Sequence, residues 1–480
     1  MHESASAIRK ILNPDSIAIV GASGSLTNPA TNLMATILSS GYEGKIYPIH
    51  PKDKVSLGLP VYPNVSAVPD PVDLAVIVVP SRAVPEVLRD CGEKGVKSAV
   101  VITAGYREMG KAGAALEQEL HETAKQYGIR FIGPNCIGII NTRKRLNCSM
   151  FYHEGTPGGV GLVSQSGSYI TQPLPYFQKL GIALSSAISA GNQTDIDIAD
   201  TFYYFAEDDQ TAVVAVYLEG IRDGGKFFDA ARTLSAKKPV VVLYVGGSEA
   251  GSRAGKSHTG AIATPDALMD AVFAQTGVIR ARTVEELFDF SLAFSVQPLP
   301  RGDRVAVLTN SGGPGVSMAD AAMRLGLRVP EFSRGFQDEI RSISIPTTQA
   351  GNPIDVTMDF DIRRLFIEIT GRVIDSGEAD AILFYGVFGG ENFYKKFQKI
   401  GMEDREMIEG YEKYYTSVLE EFVELTKKAG IPVLTSSFTG RGDTPVGRMM
   451  DLGIPTYATP ERASAALSAM VRYARFKEKR

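Results

Sequence analysis

Val240-Val-Val-Leu-Tyr-Val245, then Gly246-Gly247, then Gly251-Ser-Arg-Ala-Gly-Lys-Ser-His-Thr-Gly-Ala261 is the stretch from which the rest of the chain is read. An unbroken β-branched and aromatic run suits a strand buried on both faces, as in a parallel sheet. The glycines release the chain into a loop, and Ala261–Phe273 has the pattern of a helix. Strand, glycine-rich loop and helix in that order make one α/β unit. Backbone N–H groups of such a loop converge on anions, and the helix N-terminus adds positive partial charge. His258 is the one imidazole of the loop, with Arg253 and Lys256 beside it, and is a candidate phosphate-accepting nucleophile. A single loop histidine is more often incidental than catalytic. Its assignment rests on what the remaining sequence supplies.

With 480 residues the chain exceeds one ordinary core and should divide into two to four domains. The net charge of −4 makes no electrostatic case for nucleic acid. No apolar run is long enough to span a bilayer, and Met1-His-Glu-Ser-Ala lacks the basic and apolar segments of a secretory signal. A cytoplasmic location away from membranes is therefore expected. Cys91, Cys136 and Cys148 are sparse and odd in number, which does not suggest a disulfide framework. The histidines show no ligand spacing, so no metal site is expected.

Strand-like runs alternate with helical patterning from end to end. Ser16–Val20, Lys45–Ile49, Leu74–Val79, Ser98–Ile102 and Arg130–Ile132 read as the strands of a Rossmann-like half, with ligands at their C-terminal ends. The first turn, Gly21-Ala-Ser-Gly24, departs from the dinucleotide fingerprint because Ser23 takes the middle position. The second strand ends in His50-Pro51-Lys52 rather than in an acid, which favours NADP or coenzyme A over NAD. Ile132-Gly-Pro-Asn-Cys-Ile-Gly138 is a tight turn whose Cys136 reads as buried and structural, because no base lies near it. Asn141 to Gly159 reads as a polar connector and the first domain boundary.

A second unit opens at Val160–Val163 and delivers Ser164-Gln-Ser-Gly-Ser168 to a strand-to-helix turn suited to a carboxylate or phosphate. The strand Ala212–Leu218 ends in Glu219-Gly220. If it lies parallel to Pro239–Val245 in one sheet, Glu219 and His258 emerge at the same edge, where a carboxylate can fix the imidazole tautomer. A third unit starts after Pro298-Leu-Pro-Arg-Gly302. Its Val305–Gly313 repeats the strand, Ser/Gly turn and helix of the second. Residues 392–428 form a Tyr/Lys/Glu-rich helical insertion.

Gly21-Ala-Ser-Gly24, Gly133-Pro-Asn-Cys136, Ser164-Gln-Ser-Gly167, Glu219-Gly220 and Ser257-His-Thr-Gly-Ala-Ile262 follow one another in the order found in the α subunit of succinyl-CoA synthetase. With its third unit the chain is more similar to the α subunit of ADP-forming acyl-CoA synthetases, the acetate–CoA ligase type. The resemblance implies an N-terminal Rossmann-like CoA-binding domain over 1–145. It further implies a flavodoxin-like ligase domain with a phosphohistidine loop over 155–297, and a second flavodoxin-like ligase domain over 300–480. It implies that acyl-CoA, phosphate and ADP interconvert with carboxylic acid, CoA and ATP through an acyl phosphate and phosphorylated His258, which Glu219 supports. Gly21, Ser23, Gly24, Ser25, Lys52, Ile102, Thr103 and Ala104 match CoA contacts, and Gln165, Ser166 and Gly167 the phosphate and substrate turn. Gln165 replaces the arginine usual in succinate enzymes, which favours a monocarboxylic acid. No nucleotide-grasp segment or Walker loop is present, so ADP and Mg²⁺ are expected on an ATP-grasp β subunit, in an α2β2 heterotetramer. The rival readings are an NADP-linked oxidoreductase and a non-catalytic CoA-binding subunit.

Overall fold

The computed structural model describes residues 2–153, 155–248, 251, 264–386, 396–397, 399–401 and 405–479. Its strands are β1 (Ser16–Val20), β2 (Lys45–Ile49), the short hairpin β3 (Val55–Ser56) and β4 (Leu59–Pro60), β5 (Leu74–Ile77), β6 (Ser98–Val101) and β7 (Arg130–Ile132). Then come β8 (Ile139–Asn141), β9 (Leu146–Asn147), β10 (Val160–Ser164), β11 (Leu184–Ser189), β12 (Val213–Leu218), β13 (Val240–Tyr244) and β14 (Ile279–Ala281). The last are β15 (Val305–Thr309), β16 (Ile354–Asp355), β17 (Ala381–Tyr385), β18 (Val433–Ser436) and β19 (Thr456–Tyr457). The chain divides into a unit of Met1–Gln178 with Ala183–Arg282, and a unit of Lys179–Ile182 with Thr283–Arg480.

The first unit holds two sheets. In the first, all strands are parallel in the order β2-β1-β5-β6-β7. Alternation along β1 divides its side chains between two layers. Ile17 and Ile19 join Leu33, Met34 and Ile37 of helix Pro29–Ser39, whereas Ala18 and Val20 join Leu88 and Leu120 on the opposite face. Asn28 caps helix Pro29–Ser39 by accepting from the Ala30 and Thr31 N–H groups at 2.8 and 3.1 Å, with Pro29 in the first turn.

The second sheet has the order β14-β13-β12-β10-β11-β8-β9. Its five parallel strands, β10 to β14, are flanked by the antiparallel hairpin β8–β9. The polar stretch expected as a connector from Asn141 therefore begins inside this sheet, and the chain leaves the first sheet between Ile132 and Ile139. The strands concerned are two and three residues long, too short to show a period; β8 is made a strand by pairing with β11, and β9 by pairing with β8. Ile8, Ile11 and Leu12 of helix Glu3–Leu12 share one apolar cluster with Ile198, Phe202 and Phe205 of helix Ile198–Glu207, which binds the two sheets into one unit.

The second unit carries a parallel sheet in the order β16-β15-β17-β18-β19. Helix Val284–Val296 falls in this unit. Its buried Asp289 ties it there. The carboxylate accepts from Arg462 Nε and Nη2 at 2.6 and 2.7 Å, and the Asp289 carbonyl accepts from the Tyr457 hydroxyl at 3.0 Å. Numbered within themselves, all three sheets have parallel strands in the order 2-1-3-4-5. That order places a switch point between the first and third strands of each, outside their carboxyl ends.

Candidate functional site

At the first switch point the chain turns at Gly21, whose φ is 106°. A Cβ there would lie 2.3 Å from the Val78 carbonyl oxygen, so only glycine lets β1 and β5 end this close together. Ser23 is buried. Its N–H donates to Thr31 Oγ1 at 3.0 Å, and its Oγ accepts from the Ser25 N–H at 3.2 Å. The Gly24 N–H donates to the Asp53 carboxylate at 2.7 Å, so this turn already holds an anionic group. His50 Nδ1 lies 3.5 Å from the same carboxylate, and Lys52 is exposed at the end of β2. Thr103 Oγ1 donates to the Val79 carbonyl at 2.7 Å, which fixes the loop from Ile102 to Ala104 over the ends of β5 and β6. A cleft of about 740 Å³ opens here, lined by Gly21, Asn28, His50, Pro51, Val79 and Val87 among others.

At the second switch point Ser164-Gln-Ser-Gly167 meets Glu219-Gly220. Gln165 is buried, and its side chain is engaged by backbone. Nε2 donates to the Gly220 carbonyl at 2.9 Å, while Oε1 accepts from the Gly220 N–H at 3.0 Å and from the Glu219 N–H. Its amide braces the turn that carries Glu219, and Gln165 also lines the cleft beside Ser166 and Gly167. Glu219 itself is buried, next to the stacked rings of Tyr217 and Tyr169, whose centroids are 3.9 Å apart. Burial, with Glu219 nearby, pushes the Tyr217 phenol well above its usual range.

Ser166 and Gly167 line a second cleft, of about 350 Å³, with Asn135, Cys136, Ile137 and Phe151. Gly167 is required because a Cβ would lie 2.9 Å from the Ile137 Cβ. Cys136 donates its thiol to the Val101 carbonyl at 3.4 Å, and burial pushes that thiol up to about 12, which makes it a poor nucleophile.

Parallel pairing of β12 with β13 brings Glu219 and Gly246 to one sheet edge, where a Cβ on Gly246 would lie 3.0 Å from the Glu219 carbonyl oxygen. The Tyr244 hydroxyl donates to the Thr264 carbonyl at 2.7 Å and accepts from the Thr264 N–H at 2.9 Å, so the residues just before and just after the 249–263 stretch are tied together. His258, with Arg253 and Lys256, lies outside the described residues, as does part of the 392–428 insertion, of which helix Arg405–Ala429 is described.

One cluster was not anticipated. Asn192 Nδ2 donates to Glu108 Oε2 at 2.8 Å and to Glu117 Oε2 at 3.1 Å. Glu117 also accepts from the Thr194 hydroxyl and the Arg107 N–H, and pairs with the Arg107 guanidinium. Burial opposes ionisation of both carboxyls, but Asn192 and the Tyr106 and Gly105 N–H groups on Glu108, and Arg107 and Thr194 on Glu117, outweigh it and hold both below the usual range. In sequence Glu117 is an ordinary helix carboxylate, and nothing local marks it. Among the described residues no group of His, Cys, Asp and Glu could hold a metal ion, and no helix is long and apolar enough to cross a membrane.

Two family models match the chain: a CoA binding domain over residues 15–142 and a succinyl-CoA ligase like flavodoxin domain over 157–294. The α subunit of acetate–CoA ligase [ADP-forming] I of Pyrococcus furiosus is 35% identical over 483 residues, covering 98% of this chain and 99% of the relative. The acetate–CoA ligase [ADP-forming] of Methanocaldococcus jannaschii is 41% identical over 73% of this chain, but that match spans only 49% of the relative. Among solved structures, the dinucleotide-forming acetyl-coenzyme A synthetase 1 of Ca. Korarchaeum cryptofilum, in complex with phosphate and ADP, superposes with a TM-score of 0.84 at 34% identity. It covers 98% of this chain and 97% of its own.

Proposed function

From the premise that this chain belongs to the family of ADP-forming acetate–CoA ligase α subunits, we propose that it carries a phosphoryl group on His258 between its own acyl-CoA site and ADP held by a partner. The chain is the α subunit of an ADP-forming acyl-CoA synthetase, and its N-terminal domain binds CoA. Phosphate displaces CoA from the acyl-CoA carbonyl to give an acyl phosphate and free thiol. The His258 imidazole then takes the phosphoryl group and releases the carboxylate, and ADP takes it from phosphohistidine to give ATP. A histidine carrier lets the two halves of the reaction occupy separate sites.

In this reading the Gly21, Ser23, Gly24 and Ser25 turn receives the CoA phosphates, one of which takes over the Gly24 N–H that Asp53 now holds. Lys52 neutralises phosphate charge at the end of β2, and Ile102, Thr103 and Ala104 line the thiol-bearing arm. Ser166 and Gly167 hold the transferred phosphate, and Glu219 fixes the His258 tautomer. Among the described residues no lysine or arginine lines the 350 Å³ cleft, and the Gln165 amide is engaged by backbone, which favours a monocarboxylate: short, branched or aromatic. The third sheet forms a second flavodoxin-like ligase domain. Its Asn310 N–H donates to the Tyr385 carbonyl at 3.2 Å, just as the Gln165 N–H donates to the Tyr217 carbonyl at 3.2 Å.

ADP and Mg²⁺ belong to an ATP-grasp β subunit in an α2β2 assembly in the cytoplasm. In support, the relative named as an α subunit is covered over 99% of its length by this chain, while the Methanocaldococcus jannaschii relative, 49% of which is matched by 352 residues, is roughly one and a half times as long as this chain.

The observation that carries the reading is the shared edge of Glu219 and Gly246, beside the Ser166-Gly167 turn. The test incubates the complex of this chain and its β subunit with acyl-CoA and phosphate, then assays acid-labile phosphate on wild type, His258→Ala and Glu219→Gln. Label on wild type, none on His258→Ala and less on Glu219→Gln is expected. An unlabelled wild type would return the chain to a non-catalytic CoA-binding role.

A further inference from the structure

Glu117 sits on helix Lys111–Tyr127 of the CoA-binding domain, yet its side chain is 3% exposed because the 190–194 turn of the next domain covers it. That turn presses on the Gly133-Pro-Asn-Cys136 segment, since a Cβ at Gly191 would lie 2.3 Å from the Pro134 carbonyl oxygen. An ionised carboxylate only accepts hydrogen bonds, so Asn192 must present its nitrogen to Glu108 and Glu117. Its oxygen is then left for Asn135, whose Nδ2 donates to it at 3.2 Å. The same logic passes one residue further. With one N–H of its amide on Asn192, Asn135 turns Oδ1 away from that contact, and no hydrogen bond reaches Oδ1 among the described residues. Asn135 lines the 350 Å³ cleft, and its N–H donates to the Thr103 carbonyl, in the loop assigned to CoA, at 2.9 Å.

We propose that Glu117 and Glu108 are positioning residues that set the amide orientation of Asn192, and through it of Asn135, so that Asn135 offers a fixed carbonyl oxygen to a hydrogen-bond donor on the thiol-bearing arm of coenzyme A. The inference rests on the CoA reading but not on His258. The arm carries two kinds of donor, amide N–H and thiol S–H, and it must pass Thr103 to bring its sulfur to the cleft. A carboxylate pair suits the task better than an amide would. Glutamine at 117 can turn either face to Asn192 and so leaves its orientation open.

The test uses the complex with the β subunit and measures KM for CoA, KM for ADP and kcat. Glu117→Gln should raise KM for CoA about tenfold, as for one well-oriented hydrogen bond, and leave KM for ADP unchanged. In an Asn135→Ala background, Glu117→Gln should add nothing, whereas a merely structural role would add its full effect again. Glu108→Gln repeats the experiment if Glu117→Gln does not fold. Inhibition by desulfo-CoA separates the donors: Asn135→Ala weakens CoA alone if the thiol donates, and both ligands if an amide does. Unchanged KM for CoA in Glu117→Gln and Asn135→Ala, or additive effects, would overturn the proposal. Failure of the wild-type complex to bind CoA at all would instead sink the functional reading beneath it.

Discussion

Gln165 holds Gly220 from both sides: its Nε2 donates to the Gly220 carbonyl at 2.9 Å, and its Oε1 accepts the Gly220 N–H at 3.0 Å. The pair crosses the switch point between β10 and β12 and sets where Glu219 leaves its strand. Gln165→Ala strands the buried Gly220 carbonyl and the Glu219 and Gly220 N–H groups, at a cost of about 1–3 kcal/mol. A lower thermal midpoint together with slower phosphorylation of His258 is expected. Gln165→Glu should do worse in the phosphorylation assay, because a carboxylate faces the Gly220 carbonyl and adds charge beside Glu219. Full phosphorylation by both variants would show that the brace is dispensable.

Gly21→Ala tests the first switch point. Its φ of 106° and the 2.3 Å approach to the Val78 oxygen mean that a methyl group must push β1 and β5 apart. Backbone strain of about 1–3 kcal/mol is expected, with CoA binding lost before the fold is. Calorimetric titration with CoA reads the first effect and thermal unfolding the second. Binding at wild-type affinity would refute this role for the turn.

Lys226 donates to Asp197 at 3.0 Å and to Asp200 at 2.8 Å, and the Ser4 hydroxyl also donates to Asp200. Burial opposes ionisation of Asp200, but the hydrogen bonds from Lys226 and Ser4 outweigh it and hold its carboxyl below the usual range. A carboxyl held low in the folded chain adds stability that is complete above its unfolded value, roughly 4, and disappears as pH falls through the folded value. Lys226→Met should therefore raise the pH of acid unfolding. At neutral pH it should cost about 2–3 kcal/mol, below a fully buried pair because Lys226 is a third exposed. Denaturant melts at pH 7 and below about pH 3 measure both effects, and equal losses at the two pH values would contradict the assignment.

Cys91, Cys136 and Cys148 are all buried, and burial pushes the Cys91 and Cys136 thiols up to about 12 and Cys148 higher still. The folded chain should resist a thiol reagent at pH 8 and react fully only in denaturant. Rapid labelling of Cys136 in the native chain would reopen it as a nucleophile.

The strands Ser16–Val20 and Lys45–Ile49, and the short Arg130–Ile132, lie over the same residues that read as strands in the sequence. The hairpin at 139–147 was not legible there, because β8 owes its form to β11, and β9 to β8, rather than to a pattern of their own. Helix Val284–Val296 is tied to its unit by Asp289 reaching Arg462, 173 residues away, a contact that no local pattern announces.

The sequence by itself determined the alternation of strand and helix, the glycine turns at the strand ends and the order of motifs that carries the family. Those depend on local patterning, backbone conformation and residue type. Only the tertiary structure decided that the Gln165 amide is bound by the Glu219–Gly220 backbone, and that Glu117 is a buried partner of Asn192 rather than a solvated helix carboxylate. Both outcomes depend on groups more than 50 residues apart meeting where water is excluded. There a hydrogen bond left unmade is costly, and so the choice of partner is firm.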